Sequence, residues 1–340
     1  QYTDSNPLTL GDVGLEVGLP VPGLTVSGIT TSNTNATINT GDAMTISSNV
    51  AVGNGVLTLN VTQNGVSQSG GTAITTSATG GVRLLGNLAN TNNFNLNQNN
   101  DVANLAANTN GSVTLRNVSA TPLTVASVGG TNGITTNGST VTLIADEMAF
   151  NQNINAGAGS VTLTSNDVSR AINLGTNAAG LNFTDATLER VVTSGQLTVG
   201  DNAHTGAITV SGETVNPSQA SGGIVLRNVN SSITIDSVLN AGASAVTLVA
   251  DGGDPTTAAS GTITQGAGGG IVANTLTTQS RSGTTLTGSG NAVSNFSAFE
   301  AGGSDVTLVN TGNLTINGIG LGTNDNVRHI AVDTTGTLTA

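Results

Sequence analysis

Few side chains in this 340-residue chain could do chemistry, and those few are scattered. The two histidines, His204 and His329, stand 125 positions apart, and neither has the short spacing to a second ligand that a metal site needs. Both read as exposed residues in loops or at strand ends. The acidic candidates are Asp146 with Glu147, Asp251 with Asp254, and Asp325. Glycoside hydrolysis needs two carboxylates on one groove, about 5–10 Å apart. Lyase chemistry needs a base to take a proton. Asp146 and Asp251 occupy matching positions of an internal repeat, so turn capping explains them better than catalysis. Arg116 and Arg227 also match, and each follows a strand leucine, which suits a structural arginine at the edge of a coil. The chain has no Gly-x-Ser-x-Gly elbow, P-loop or paired-histidine motif. The glycine runs at 222–223, 252–253 and 268–270 read as turns. Gly252-Gly253-Asp254-Pro255 breaks at once from the Gly-Gly-x-Gly-x-Asp pattern of calcium-binding β-rolls.

The elements that must carry these residues follow from an unusual composition. Charged residues are 8% of the chain, aromatics 2% and glycines number 47, so the apolar matter is Val, Leu, Ile and Ala. Cysteine is absent, which removes disulfides and cysteine zinc sites. All seven basic residues are arginine, and a net charge of −12 without a basic patch argues against nucleic-acid binding. No run of apolar residues reaches the length of a membrane-spanning helix.

One short unit recurs: aliphatic, Thr, aliphatic. Examples are Val113-Thr114-Leu115, Val141-Thr142-Leu143, Ile208-Thr209-Val210, Ile233-Thr234-Ile235, Val246-Thr247-Leu248 and Val306-Thr307-Leu308. Side chains alternate between the faces of a strand, so each unit turns two aliphatics inward and one Thr outward. Gly, Asn, Ser and Asp separate the units, at spacings of roughly 8 to 20 residues that are too short for βαβ units. A sandwich or a stacked solenoid fits. The solenoid is favoured by an internal repeat, placed at roughly 112–175 and 223–318. Leu115-Arg116-Asn117-Val118 leads to Val141-Thr142-Leu143-Ile144-Ala145-Asp146, and Leu226-Arg227-Asn228-Val229 leads to Val246-Thr247-Leu248-Val249-Ala250-Asp251. The offset between copies falls from 111 to 105, as expected if loops bulge from a regular coil of about 20–30 residues. Asn-rich, aromatic-poor strands also suit stacking, in which identical Asn residues ladder between neighbours. The outward Thr column would suit ice binding, but its irregular spacing argues against a single flat rank.

Residues 185–191 read as a helical turn, with Asp185 as N-cap and Leu188 and Val191 packed inward. Residues 1–23 carry prolines at 7, 20 and 22 and read as an extended arm or irregular cap before a solenoid at 24–340. Within the arm, Leu8, Leu10, Val13, Leu15 and Val17 are the candidate self-assembly residues, able to lend a strand to a neighbouring copy.

The stretch 185–212, with its acidic-leucine-arginine turn, Gly195-Gln196-Leu197-Thr198-Val199-Gly200 and Gly206-Ala207-Ile208-Thr209-Val210, resembles the repeat region of filamentous-haemagglutinin-like bacterial exoproteins. Residues 261–318 resemble the same group, and the likeness covers 110–340 well and 24–110 loosely. It implies a right-handed parallel β-helix and a secreted or surface-exposed adhesin or matrix protein of a bacterium with an outer membrane. Those exoproteins carry an Asn-Pro-marked secretion domain before the repeats. Here the only Asn-Pro pairs, Asn6-Pro7 and Asn216-Pro217, lie in other contexts, which suggests an interior fragment or a compact relative with another export route.

The expectation is therefore an all-β, right-handed parallel β-helix serving as a non-enzymatic extracellular building block of a fibre or adhesin. It would self-associate into a homopolymer or stack end to end, with host or cell-surface glycans as a further partner class. No cofactor is expected; calcium at scattered turn carboxylates is an open alternative with no residue assigned. The competing readings are a polysaccharide-active β-helix enzyme and an ice-binding solenoid.

Overall fold

The computed structural model describes residues 28–251, 260–322 and 329–340. It also gives the backbone of four strands near the start, Tyr2–Asp4, Leu8–Leu10, Asp12–Gly14 and Thr25–Ser27. The described chain is nearly all β, and almost every strand pair is parallel, an arrangement consistent with a parallel β-solenoid. It divides into two compact units, Gln1–Gly159 and Ser160–Ala340.

In the first unit the chain visits its sheets in turn. Ala36–Thr40, Met44–Ile46 and Val50–Gly53 belong to three different sheets, and Val56–Val61, Val66–Gln68 and Ile74–Thr76 repeat the circuit one rung on. Asn39 meets Asn60 and Met44 meets Val66, so one circuit takes 21–22 residues here. Later circuits bring Val66 beside Phe94, Phe94 beside Val113 and Val113 beside Val141. Inward positions of these strands are Met44, Ile46, Leu96, Val113, Leu115, Val141 and Leu143, each fully buried. The alternation inferred from the aliphatic-Thr-aliphatic unit is therefore what forms the core.

The second unit stacks Val161–Thr164, Leu197–Gly200, Ile224–Arg227 and Ala245–Val249, then Gly270–Ser280, Ala292–Glu300, Leu314–Leu321 and Leu338–Thr339, in one sheet. A second sheet runs from Ile172–Leu174 through Ile208–Val210, Ile233–Ile235, Ile263–Gln265, Thr284–Leu286 and Val306–Asn310 to Ile330–Thr334.

The matched strands quoted for the internal repeat are successive rungs in each copy. Val113 stands beside Val141 in the first copy and Ile224 beside Val246 in the second. The stretch from Leu115 to Val141 is longer than that from Leu226 to Val246, and it holds a small antiparallel hairpin of Ser127–Val128 with Thr131–Asn132 beside the parallel stack. Length variation is thus absorbed outside the register of the core strands.

The one helix among the described residues is Asp185–Leu188, where a helical turn was expected. Its N-cap is Thr184 rather than Asp185. The Thr184 side chain accepts from the Thr187 N–H, while Asp185 Oδ1 accepts from the Asn216 N–H at 2.6 Å. Leu188 and Val191 are buried.

Of the segment read as an arm, Leu15 and Val17 lie outside the described residues. Leu8–Leu10 pairs in parallel with Met44–Ile46, Tyr2–Asp4 pairs with Ala36–Thr40, and Asp12–Gly14, which includes Val13, pairs antiparallel with Thr25–Ser27. These strands are engaged within their own chain.

Candidate functional site

Outward threonines of the second unit fall into one file. Thr209 stands beside Thr234, Thr234 beside Thr264, Thr264 beside Thr285 and Thr285 beside Thr307. Neighbouring strands lie about 4.7–4.9 Å apart, and the Thr234 and Thr264 hydroxyl oxygens are 3.4 Å apart. Behind the file, Ile208, Ile233, Ile263 and Val306 are fully buried. The sequence spacing had argued against such a rank. The structure overturns that inference, because loops of unequal length return each strand to the same register. The first unit shows the same habit, with Thr114 beside Thr142 and the Thr45 and Ser67 hydroxyls 3.3 Å apart. The expected Asn ladder appears where Asn60 Nδ2 donates to Asn39 Oδ1 at 2.9 Å.

Of the acidic candidates the structure describes Asp146, Glu147 and Asp251. Asp251 is fully buried, so its carboxyl group is shut off from a sugar chain. Asp146 and Glu147 share the short turn between Val141–Ala145 and Met148–Phe150. Gly252, Gly253, Asp254, Pro255 and Asp325 lie outside the described residues. Arg116 and Arg227 hold equivalent outward positions, beside Ile144 and Val249. Arg227 Nη1 donates to Asn202 Oδ1 at 2.7 Å, which ties a strand end to the turn of the preceding rung. A shallow groove of about 270 Å³ lies there, lined in part by Gln196, Thr198, Asp201, Asn202 and Arg227. Its lining includes one carboxylate, short of the pair that acid–base hydrolysis of a glycoside uses. Among the described residues no group of three or more His, Cys, Asp or Glu is placed to hold a metal ion. No helix among them is long and apolar enough to cross a membrane.

The largest departure from the sequence reading is His204. It was expected on the surface and is fully buried, whereas His329 is exposed. It sits in the turn after Leu197–Gly200, between the turns of the rungs on either side. Gly200 opens that turn at φ +80°, and a Cβ there would run into the Arg227 carbonyl oxygen, so the tight corner requires glycine. Burial pushes the His204 imidazole below its ordinary pKa, against the opposing pull of Asp201 and Asp167.

Inward polar residues at strand ends were also missed. Asn117 and Asn228 are both fully buried. Asn117 Oδ1 accepts from the Val102 N–H at 2.7 Å, and Asn228 Nδ2 donates to the carbonyls of Gly206 and Ser232 at 3.1 and 3.0 Å. The period of two that turns Leu115 and Leu226 inward also turns these asparagines inward, so the signal was present in the sequence.

No family model, curated protein or solved structure matches this chain.

Proposed function

We propose that this chain is a non-enzymatic extracellular structural protein. It is a right-handed parallel β-solenoid building block of a bacterial surface or matrix fibre or adhesin, as in the exoproteins its repeats resemble, and its copies associate. The observation that carries the reading is the stack of parallel strands in the second unit, Val161–Thr164, Leu197–Gly200, Ile224–Arg227 and Ala245–Val249 in one sheet, over buried aliphatics at Val161, Leu197, Ile224 and Val246. Each rung is held by the rungs beside it, the arrangement from which a fibre or an adhesin stalk is built.

Sedimentation of the purified protein across a range of concentrations tests association. A sedimentation coefficient that rises with concentration is expected, and one that stays at the monomer value would remove self-association from the reading.

A second reading, ice binding, gains support from the in-register Thr209–Thr307 file, which repeats a hydroxyl and a methyl group on a rigid apolar base. It predicts measurable thermal hysteresis that falls when Thr264 is replaced by Tyr. A parent protein without hysteresis at high concentration removes it.

A further inference from the structure

The corner that buries His204 is built from three stacked turns of the second unit. Thr205 N–H and Gly206 N–H both donate to the Val168 carbonyl of the preceding rung, at 2.6 and 3.0 Å. Val229 N–H of the following rung donates to the His204 carbonyl at 2.6 Å. Asn228 Nδ2 donates to the Gly206 carbonyl at 3.1 Å. The imidazole fills the space these bonds enclose.

The ring's hydrogen bonding fixes its proton. Ser165 Oγ lies 3.4 Å from His204 Nδ1 and donates its own hydrogen to the Asp167 carbonyl at 2.7 Å. With that hydrogen committed, Nδ1 must be the donor in the contact with Ser165 Oγ. The proton therefore sits on Nδ1, and Nε2 presents a bare lone pair. Nε2 has no hydrogen-bond partner among the described residues. A second proton at Nε2 would place an imidazolium in a buried space with nothing to accept its N–H.

The charged groups around the corner lie at its rim. Asp201 is on the same turn, Asp167 and Arg170 are on the turn below, and Arg227 ends the strand above; the turn 228–232 brings none. Asp167 is exposed, and hydrogen bonds from the Ser169 hydroxyl and backbone hold its carboxyl below the usual carboxylate range. It thus remains an anion under mildly acid conditions.

We propose that His204 is an acid-sensitive latch. Neutral and Nδ1-protonated, it closes the corner; when Nε2 takes a proton, the imidazolium leaves the buried space for the carboxylates of Asp167 and Asp201, and the three turns come apart. The direction follows from linkage. The opened state binds its proton at the ordinary imidazole value of 6.5, while the closed state binds it only at lower pH. Stability of the closed corner is complete above that value and is lost as pH falls below it. Between that value and the lowered value of the closed state, each further pH unit raises the opening constant about tenfold.

Hydrogen exchange at the Thr205, Gly206 and Val229 amides, corrected for intrinsic rates, measures that constant from about pH 7.5 to about pH 4.5. The expected result is a rise that sets in below about pH 6.5 in the parent and approaches about tenfold per pH unit until the closed state itself takes up the proton, and a flat profile in His204→Gln. An identical slope in the variant, or no slope in the parent, overturns the latch. Should His204→Gln not fold, imidazole nitrogen NMR of the parent decides. A His204 ring neutral near pH 6.5 with its proton on Nδ1 supports the proposal, and a charged ring there overturns it.

Discussion

Glu300→Ala is expected to destabilise the second unit by about 3–5 kcal/mol. Glu300 is fully buried, and its two oxygens gather four donors. Oε2 accepts from Ser280 Oγ at 2.7 Å and from the Gly283 N–H at 3.1 Å. Oε1 accepts from the Gly302 N–H at 2.8 Å and from the Ser304 N–H at 3.4 Å. A buried donor left without an acceptor costs about 1–3 kcal/mol. Gly283 is buried and bears that cost in full; the Ser280 hydroxyl keeps Thr284 Oγ1 at 2.9 Å as another partner, and Gly302 and Ser304 are half-buried and recover part of the cost from water. Glu300→Gln should lose less, because one oxygen is kept, yet its amide nitrogen then faces two donors. Denaturant unfolding measures both. A loss below about 1 kcal/mol for Glu300→Ala would show that the carboxyl group does not hold this corner.

Phe296→Ala is expected to cost about 3–5 kcal/mol, by removing a large side chain from a core that cannot fully close over the space. Phe296 is fully buried and stands between Leu276 and Ile316 in consecutive rungs of the inward file. Its neighbour Ser297 points outward, beside Thr277, and Ser297→Ala should stay within about 0.5 kcal/mol. The contrast between adjacent residues is the test, read as the shift in unfolding midpoint at constant slope. Similar losses at both positions would mean that the alternation in this strand is not as described.

These two residues also show what the sequence disclosed. The aliphatic-Thr-aliphatic unit disclosed which positions point inward, because a strand has a period of two and most inward residues are aliphatic. Carrying that period one step further was enough to place Asn117, Asn228 and Glu300 in the core, since they follow Leu115, Leu226 and Ala298 by two. They were read instead as turn residues or went unremarked, since Asn and Glu are usually solvated where strands end. At these ends the chain turns a corner whose backbone groups are buried, and an inward polar side chain satisfies them. His204 left no such trace. Nothing in Asp201-Asn202-Ala203-His204-Thr205-Gly206 indicates that turns from the adjacent rungs close over it. Rung-to-rung register was likewise out of reach, because Thr209, Thr234, Thr264, Thr285 and Thr307 are unevenly spaced in sequence and align only after the loops between them are discounted. Among the described residues no group of three or more His, Cys, Asp or Glu is placed to hold a metal ion, and the stacked parallel strands became the feature with the strongest functional meaning.

Electron cryo-microscopy of the purified protein at high concentration tests the fibre reading most directly. The expected images show filaments with a layer line near 4.7–4.9 Å along the axis, the spacing of strands stacked rung on rung. Dispersed single particles at every concentration, with no filaments, would contradict it.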